Sequence, residues 1–124
     1  MPVNYTNAVK NSRMNAVVTA IGTTGVLEIG TAAMGTVLAT IALGNPAGTV
    51  AGAGVLTFSG FPRSDVSADA SGIAAAARIR TASGGTDIVT DLTVGTSGSD
   101  INLDSTNITA GQTVTINSFT ITHA

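Results

Sequence analysis

Cysteine and tryptophan are absent from this sequence, and only one tyrosine and three phenylalanines occur among its 124 residues. Because there is no cysteine, the chain can form no disulfide, no thiolate nucleophile and no thiolate metal site. Surfaces that bind sugars usually present Trp or Tyr side chains, and Tyr5 alone does not provide such a platform. The missing residues exclude cysteine chemistry and disfavour a sugar-binding module.

Charged residues are also scarce, at 10% of the sequence, against about a quarter of an average soluble domain. The net charge is −2 and the five Lys and Arg residues form no run, so the chain lacks the basic patch that binds nucleic acid. A surface with so few charges is poorly hydrated. We therefore expect other copies of the chain, or another protein, to cover part of it.

Long apolar runs are missing as well. No continuous run approaches the ~18 residues that span a bilayer, and the first residues, MPVNYTNAVKNSR, lack the order of a signal peptide. A chain of this length is expected to bury one core. We therefore expect a single domain over residues 1–124, made in the cytoplasm and without a membrane partner.

The segment 7–21 predicts an amphipathic α-helix. Its apolar residues recur at helical spacing and are Met14, Val17, Val18 and Ile21. Thr6 or Asn7 can accept hydrogen bonds from the free amides at the start of the helix. Gly22 can adopt the positive φ that ends it.

After residue 22 the hydrophobic period changes to two, which is typical of β-strands. Strands are predicted at GVLEIG, at TVLATIALG, near residues 48–52 and at GVLTFSG. The run GIAAAARIRT is Ala-rich and could be a helix by propensity. We favour a strand with Ile73, Ala75, Ala77 and Ile79 on one face and Arg78 and Arg80 on the other, because ASGG and the alternating run TDIVTDLTVG follow and complete a hairpin.

The C-terminal run QTVTINSFTITHA changes parity, because Val114 and Ile116 alternate out of step with Phe119 and Ile121. A bulge near Asn117 would return both pairs to the core. The total of one helix and seven or eight short strands predicts a mainly β fold. The expected architecture is an antiparallel β-sandwich, jelly-roll-like, or else a barrel.

The stretch DINLDSTN, residues 100–107, has the spacing of a calcium-binding loop, with Asp100, Asn102 and Asp104 at every second position. A calcium loop also needs a central glycine and a closing acid, and the stretch has neither. Ile101 and Leu103 between the polar residues instead indicate a strand with a polar outer face. We expect no metal site and no cofactor, with a weak ion site shared with a neighbour as the alternative.

Catalytic signals are weak. His123 is the only histidine and lies next to the last residue, where a base is difficult to hold in one orientation. The glycine-rich stretches GTAAMG and GTVAGAG lack the elements of a nucleotide site. Arg78 and Arg80 are expected to form cross-strand ion pairs with Asp87 and Asp91. We therefore expect no enzyme and no small-molecule substrate.

The connection SGFPRSDVSAD, within residues 59–71, has two interpretations. It can be an ordinary loop whose Phe61 packs against the core. It can also be a partner-contact loop, in which Phe61 is an aromatic anchor while Arg63 and Asp65 form charged contacts with a neighbouring chain. The candidate contact residues are Phe61, Arg63 and Asp65.

Three stretches that cover most of the chain resemble small structural proteins encoded by tailed bacteriophages. They are MNAVVTAIGTTGVLEIGTAAMGTVLAT, SGFPRSDVSADASGIAAAARIR and LDSTNITAGQTVTINSFTITHA. The resemblance implies a virion component, most similar to capsid cement or decoration proteins, which often have jelly-roll folds and sit as trimers on the head. It implies a location on the capsid surface and binding to the major capsid protein, and it identifies no contact residue.

From the resemblance and the low charge, two functions are expected. The first is a decoration protein, a homotrimer that binds the outer head surface and stabilises the capsid lattice. The alternative is a tail, collar or fibre-base component of the virion. Copy number separates the two, because a cement protein is present in hundreds of copies and a tail part in tens or fewer.

Overall fold

A computed structural model describes residues 5–44, 47–52, 54–58, 63–82, 84–116 and 119–122. Within these residues the chain is mainly β, with one α-helix, as predicted. The elements are α1 (Asn7–Ile21), β1 (Val26–Gly30), a one-turn 3-10 helix (Ala32–Met34), β2 (Val37–Ala42), β3 (Gly48–Ala51), β4 (Val55–Phe58), β5 (Arg63–Asp65), β6 (Gly72–Ile73), β7 (Ala76–Arg80), β8 (Asp87–Gly95), β9 (Ile101–Asn102), β10 (Asn107–Ile108), β11 (Val114–Ile116) and β12 (Thr120–Thr122). The predicted count of seven or eight strands is too low, because several β segments have only two or three residues.

The helix has the predicted bounds. Thr6 is the N-cap residue, and its Oγ1 accepts a hydrogen bond from the Val9 amide at 3.3 Å. Gly22 ends the helix with a φ of 72°. Met14 and Ile21 are buried, and Val17 packs half-buried against the same core. The hydrophobic period of the sequence therefore identified the buried face of α1.

Val17→Asp is expected to lower the free energy of unfolding by about 2 kcal/mol, because it places an unpaired carboxylate against the core. Urea denaturation followed by circular dichroism measures the loss. Asn15→Asp is the matched control, since Asn15 is exposed on the same helix. Equal stability of the two variants would show that this helix face does not pack as described.

The largest sheet has five strands in the order β2-β1-β7-β8-β9. Its pairs are antiparallel except β8 and β9, which are parallel. β7 and β8 form the predicted hairpin, so the Ala-rich run is a strand and not a helix. A three-stranded sheet (β12-β4-β3) and the two-stranded pairs β10-β6 and β11-β5 complete a curled, predominantly antiparallel arrangement.

One hydrophobic core connects these elements. The large sheet contributes fully buried side chains such as Leu27, Ile29 and Ile79, and the three-stranded sheet contributes Leu56. Phe119 lies directly before β12, and its ring stacks on that of Phe58 with centroids 4.3 Å apart. Two of the three phenylalanines of this chain therefore pack against each other within the core.

The prediction that Ile73 shares a face with Ala77 and Ile79 is wrong, because Ile73 is 63% exposed whereas the other two are buried. The run of residues 72–81 is broken into β6 and β7. Between these strands the amide of Ala74 donates to Thr106 O and that of Ala75 to Gly30 O. The break shifts the alternation, so that Ala74 is buried instead.

One further prediction needs correction, and another falls on undescribed residues. Residues 59–71 were expected to be a plain connection, but β5 lies within them and pairs with β11. At the C-terminus, β11 pairs with β5 and β12 pairs with β4, both antiparallel, with a shift in register between the two pairings. Val114, Ile116 and Phe119 are buried. The predicted bulge itself, near Asn117 and Ser118, lies outside the described residues.

Candidate functional site

The predicted contact residues divide between described and undescribed parts of the chain. Phe61 lies outside the described residues. Asp65 fixes the edge of β2, because its Oδ2 accepts from the Thr40 amide at 2.9 Å and its Oδ1 accepts from the Ser67 amide at 3.0 Å. Arg63, half-buried, donates from Nη1 to Ala42 O at 3.5 Å. The structure thus brings Arg63 and Asp65 together beside β2, and their role in a partner contact stays a prediction.

The stretch 100–107 shows the expected alternation of burial. Ile101 and Leu103 are buried, whereas Asp100, Asn102 and Asp104 are exposed. The strand within it, β9, has only two residues. Asp100 fastens this segment to β8, since its Oδ2 accepts from the amide of Thr93 at 2.9 Å and from its hydroxyl at 3.1 Å. Asp100 therefore has a structural role, because it links residues 100–107 to β8.

Calcium is expected to leave the melting temperature unchanged, and a chelator is expected to have no effect either. A ligand that binds only the folded protein stabilises it by mass action. Differential scanning fluorimetry with calcium and then with excess chelator makes the test, and magnesium serves as the control ion. A calcium-specific rise of several degrees would show that residues 100–107 contribute to an ion site.

A buried ionic network lies on the face of the large sheet opposite the core. Glu28 on the central strand β1 is only 4% exposed. Arg78 Nε donates to Glu28 Oε1 at 2.7 Å, and Arg80 Nη1 lies 3.5 Å from the same oxygen. Burying this carboxylate is costly, so it depends on the two guanidinium groups that flank it.

Arg80 extends the network to the β7-β8 hairpin. Its Nη2 donates to Gly85 O at 2.6 Å. Its Nε lies 2.9 Å from Asp87 Oδ1, which is an ion-pair distance. Among the described residues, however, this Nε has no partner that meets hydrogen-bond geometry. The predicted Arg80–Asp87 ion pair is confirmed. The predicted partner of Arg78 is wrong, because Arg78 pairs with Glu28 and not with an aspartate of β8.

A depression of about 210 Å³ lies beside this network. Its lining residues are Ala33, Met34, Ala76, Arg78, Asp87, Thr90 and Asp91. Three of them, Ala33, Met34 and Asp91, have positive φ, a conformation uncommon for residues other than glycine. Nothing in the hydrophobic pattern pointed to this surface, because it is formed by a 3-10 turn and an irregular register between β7 and β8.

The outer side of α1 carries a second, shallower surface feature. A groove of about 360 Å³ is lined by Ala8, Val9, Ser12, Arg13 and Ala16. The guanidinium of Arg13 stacks over the ring of Tyr5, 4.7 Å from its centroid, which is the distance of a cation–π contact. The apolar spacing of the helix does not predict this pair.

The described residues form neither a metal-binding cluster nor a membrane-spanning helix. Across the described ranges, no three His, Cys, Asp or Glu side chains group closely enough to hold a metal ion. His123, the candidate base, lies outside the described residues. Where the chain is described, it has no helix of the length and apolarity needed to cross a membrane.

Comparison of the chain with protein-family models, with curated proteins and with solved structures found no match.

Proposed function

We propose that this chain is a non-enzymatic virion structural protein, a capsid decoration protein that binds the outer head surface and stabilises the lattice of the major capsid protein. The observation that carries the proposal is the low charge of the chain. Charged residues make up 10% of the sequence and the net charge is −2, which leaves a weakly charged surface. Such a surface favours burial in an assembly over a free monomer. The resemblance to phage structural proteins specifies which assembly.

Exposed apolar residues support this proposal. Val66 and Ile73 are 76% and 63% exposed, and Val9 on the helix is 44% exposed. Single exposed apolar residues are common on monomers. Here they add to a surface that has few charges to keep copies apart, and this supports association between copies. We propose a homotrimer that is made in the host cytoplasm and attaches to the capsid as a unit.

We also propose a jelly-roll-like β-sandwich as the finer architecture. In its favour, one core cluster contains side chains from the five-stranded sheet, such as Ile29, and from the three-stranded sheet, such as Leu56. Sheets that share one core in this way are typical of sandwiches. A crystal structure of the purified protein would test the strand order.

The second candidate function is a tail, collar or fibre-base component. Quantifying the protein in purified virions against the major capsid protein distinguishes the two locations. A decoration protein is expected in hundreds of copies per particle, in a fixed ratio to the major capsid protein. Tens of copies or fewer would contradict the head location and support the tail or collar.

Phe61, Arg63 and Asp65 are proposed to lie at the edge of the subunit contact or of the capsid contact. Asp65 also bonds to β2 within its own chain, so substitution of Arg63 is the cleaner test. Arg63→Ala is expected to weaken co-sedimentation with empty heads or to dissociate the oligomer, without changing the circular dichroism spectrum. Arg63→Lys, which retains the charge, is the control. Unchanged head binding and unchanged assembly of Arg63→Ala would show that this segment makes no partner contact.

A further inference from the structure

Positive and negative charges are segregated along this chain. The helix α1 contains Lys10 and Arg13 and no acidic residue, whereas residues 81–124 contain four aspartates and neither Lys nor Arg. The four are Asp87, Asp91, Asp100 and Asp104. One element is therefore basic, and the last third of the chain is acidic.

The basic element presents a contact surface to solvent. Arg13, Val9 and Ala16 are exposed around the groove on α1, while Met14 and Ile21 point into the core. Tyr5 holds the guanidinium of Arg13 in place by stacking, which reduces the side-chain entropy lost on binding. An arginine next to an aromatic ring and small apolar residues has the composition of an interface anchor.

The acidic last third of the chain contributes Asp87 and Asp91 to the depression beside the ionic network. In the depression beside the ionic network, the charge of Arg78 is balanced by Glu28, and that of Asp87 by Arg80. Asp91 is exposed and makes no hydrogen bond or ion pair with any described residue. The depression therefore carries one unbalanced carboxylate, beside the half-buried side chain of Met34.

The two surfaces lie on opposite sides of the large sheet. The buried residues of α1 join the core on the side to which Ala77 and Ile79 point. The depression is lined by Ala76 and Arg78, whose alternation places them on the other side. A single chain therefore cannot bring its own helix groove to its own depression, and the complementary pair must come from two copies.

We infer that copies of this chain associate head to tail, with the helix groove of one copy docked on the depression of the next so that Arg13 meets Asp91. The surfaces are complementary in charge, and each offers apolar atoms around one ion pair. Because the two surfaces differ, the contact is heterologous, and it forms a ring when the rotation between copies closes. The inference rests on the proposed function only for the existence of a homo-oligomer.

The test uses two charge changes at exposed positions of the full chain, Arg13→Glu on the helix and Thr90→Arg in the depression. Each variant alone is expected to be monomeric by light scattering on an in-line column, because like charges then face each other across the contact. An equimolar mixture is expected to form pairs or even-numbered rings only, because a ring of three would contain at least one contact between two copies of the same variant. The double variant is expected to assemble by itself.

Circular dichroism and the urea midpoint of each variant establish that the fold is intact, and Arg13→Gln with Thr90→Lys replaces any variant that does not fold. Raising the salt from about 0.05 to about 0.5 M is expected to weaken assembly of the wild type at least tenfold, because salt screens the ion pair. A Thr90→Arg oligomer equal to the wild type would overturn the inference. So would a double variant that stays monomeric although it is folded, or a wild type that is monomeric up to about 1 mM.

Co-sedimentation with empty heads is measured separately. Head binding by a chain that stays monomeric would contradict the head-to-tail contact alone, whereas assembly without head binding would contradict the capsid role alone. Assemblies larger than three copies that respond to the charge changes as expected would support the contact and contradict the trimer.

Discussion

Phe119→Ala is expected to lower the free energy of unfolding by about 4 kcal/mol, in the range for truncating a large buried aromatic side chain. Phe119 is 2% exposed and stacks on Phe58 with an interplanar angle of 16°. The substitution leaves a cavity at the centre of a core that has few large side chains to refill it. Urea denaturation of the purified chain measures the loss.

Phe119→Leu and Thr120→Ala serve as controls for this substitution. Leucine keeps much of the volume and is expected to cost less than half as much, whereas Thr120 is exposed and its truncation is expected to be nearly neutral. If Phe119→Ala unfolds at the same urea concentration as Thr120→Ala, the stacked pair does not hold the three-stranded sheet to the core.

Glu28→Ala is expected to cost about 3 kcal/mol, at the lower end of the range for removing one partner of a buried ion pair. The side chains of Arg78 and Arg80 are about one-fifth exposed, at 22% and 20%. Their charges can recover some hydration when Glu28 is removed, which places the loss at that lower end. The free energy of unfolding from urea titrations provides the measurement.

Glu28→Gln separates the charge of this residue from its shape. The amide keeps an oxygen acceptor for Arg78 Nε at a similar position but lacks the negative charge, so an intermediate loss is expected. Thr40→Ala is a suitable control, since Thr40 lies opposite Glu28 on the neighbouring strand β2. A Glu28→Ala protein as stable as the wild type would show that the network contributes nothing to stability.

The helix was predictable from the sequence, because a single local signal determines it. Apolar residues at helical spacing, a capping threonine and a terminal glycine all indicate the bounds that α1 has. The β7-β8 hairpin was predictable for the same reason, since two alternating runs flank a glycine-rich turn. Mainly β architecture follows from such local patterns.

Features that depend on distant partners were not predictable. The partner of Arg78 is Glu28, 50 positions away in the sequence, while the aspartates of β8 are nearer along the chain. The exposure of Ile73 depends on which carbonyls the amides of Ala74 and Ala75 meet. The parallel pairing of β9 with β8 likewise has no local signature.

Of the two candidate contact surfaces, the one around Arg63 and Asp65 was predictable from the sequence and the depression around Asp91 was not. Arg63 and Asp65 stood out in the sequence as charges beside an aromatic residue, and the structure places both of them against β2. The depression around Asp91 needed the folded chain, since it combines a 3-10 turn with two strands. The charge segregation was visible in the sequence, but its meaning depended on knowing that α1 and the depression lie on opposite sides of one sheet.

The central proposal places this chain in a phage particle, and a density map of the intact particle tests it most directly. The proposal predicts density for the chain on the outer head surface, repeated across the capsid lattice at local threefold positions and in contact with the major capsid protein. Density for the chain confined to the tail or collar, or a head surface that lacks it, would contradict a capsid decoration role.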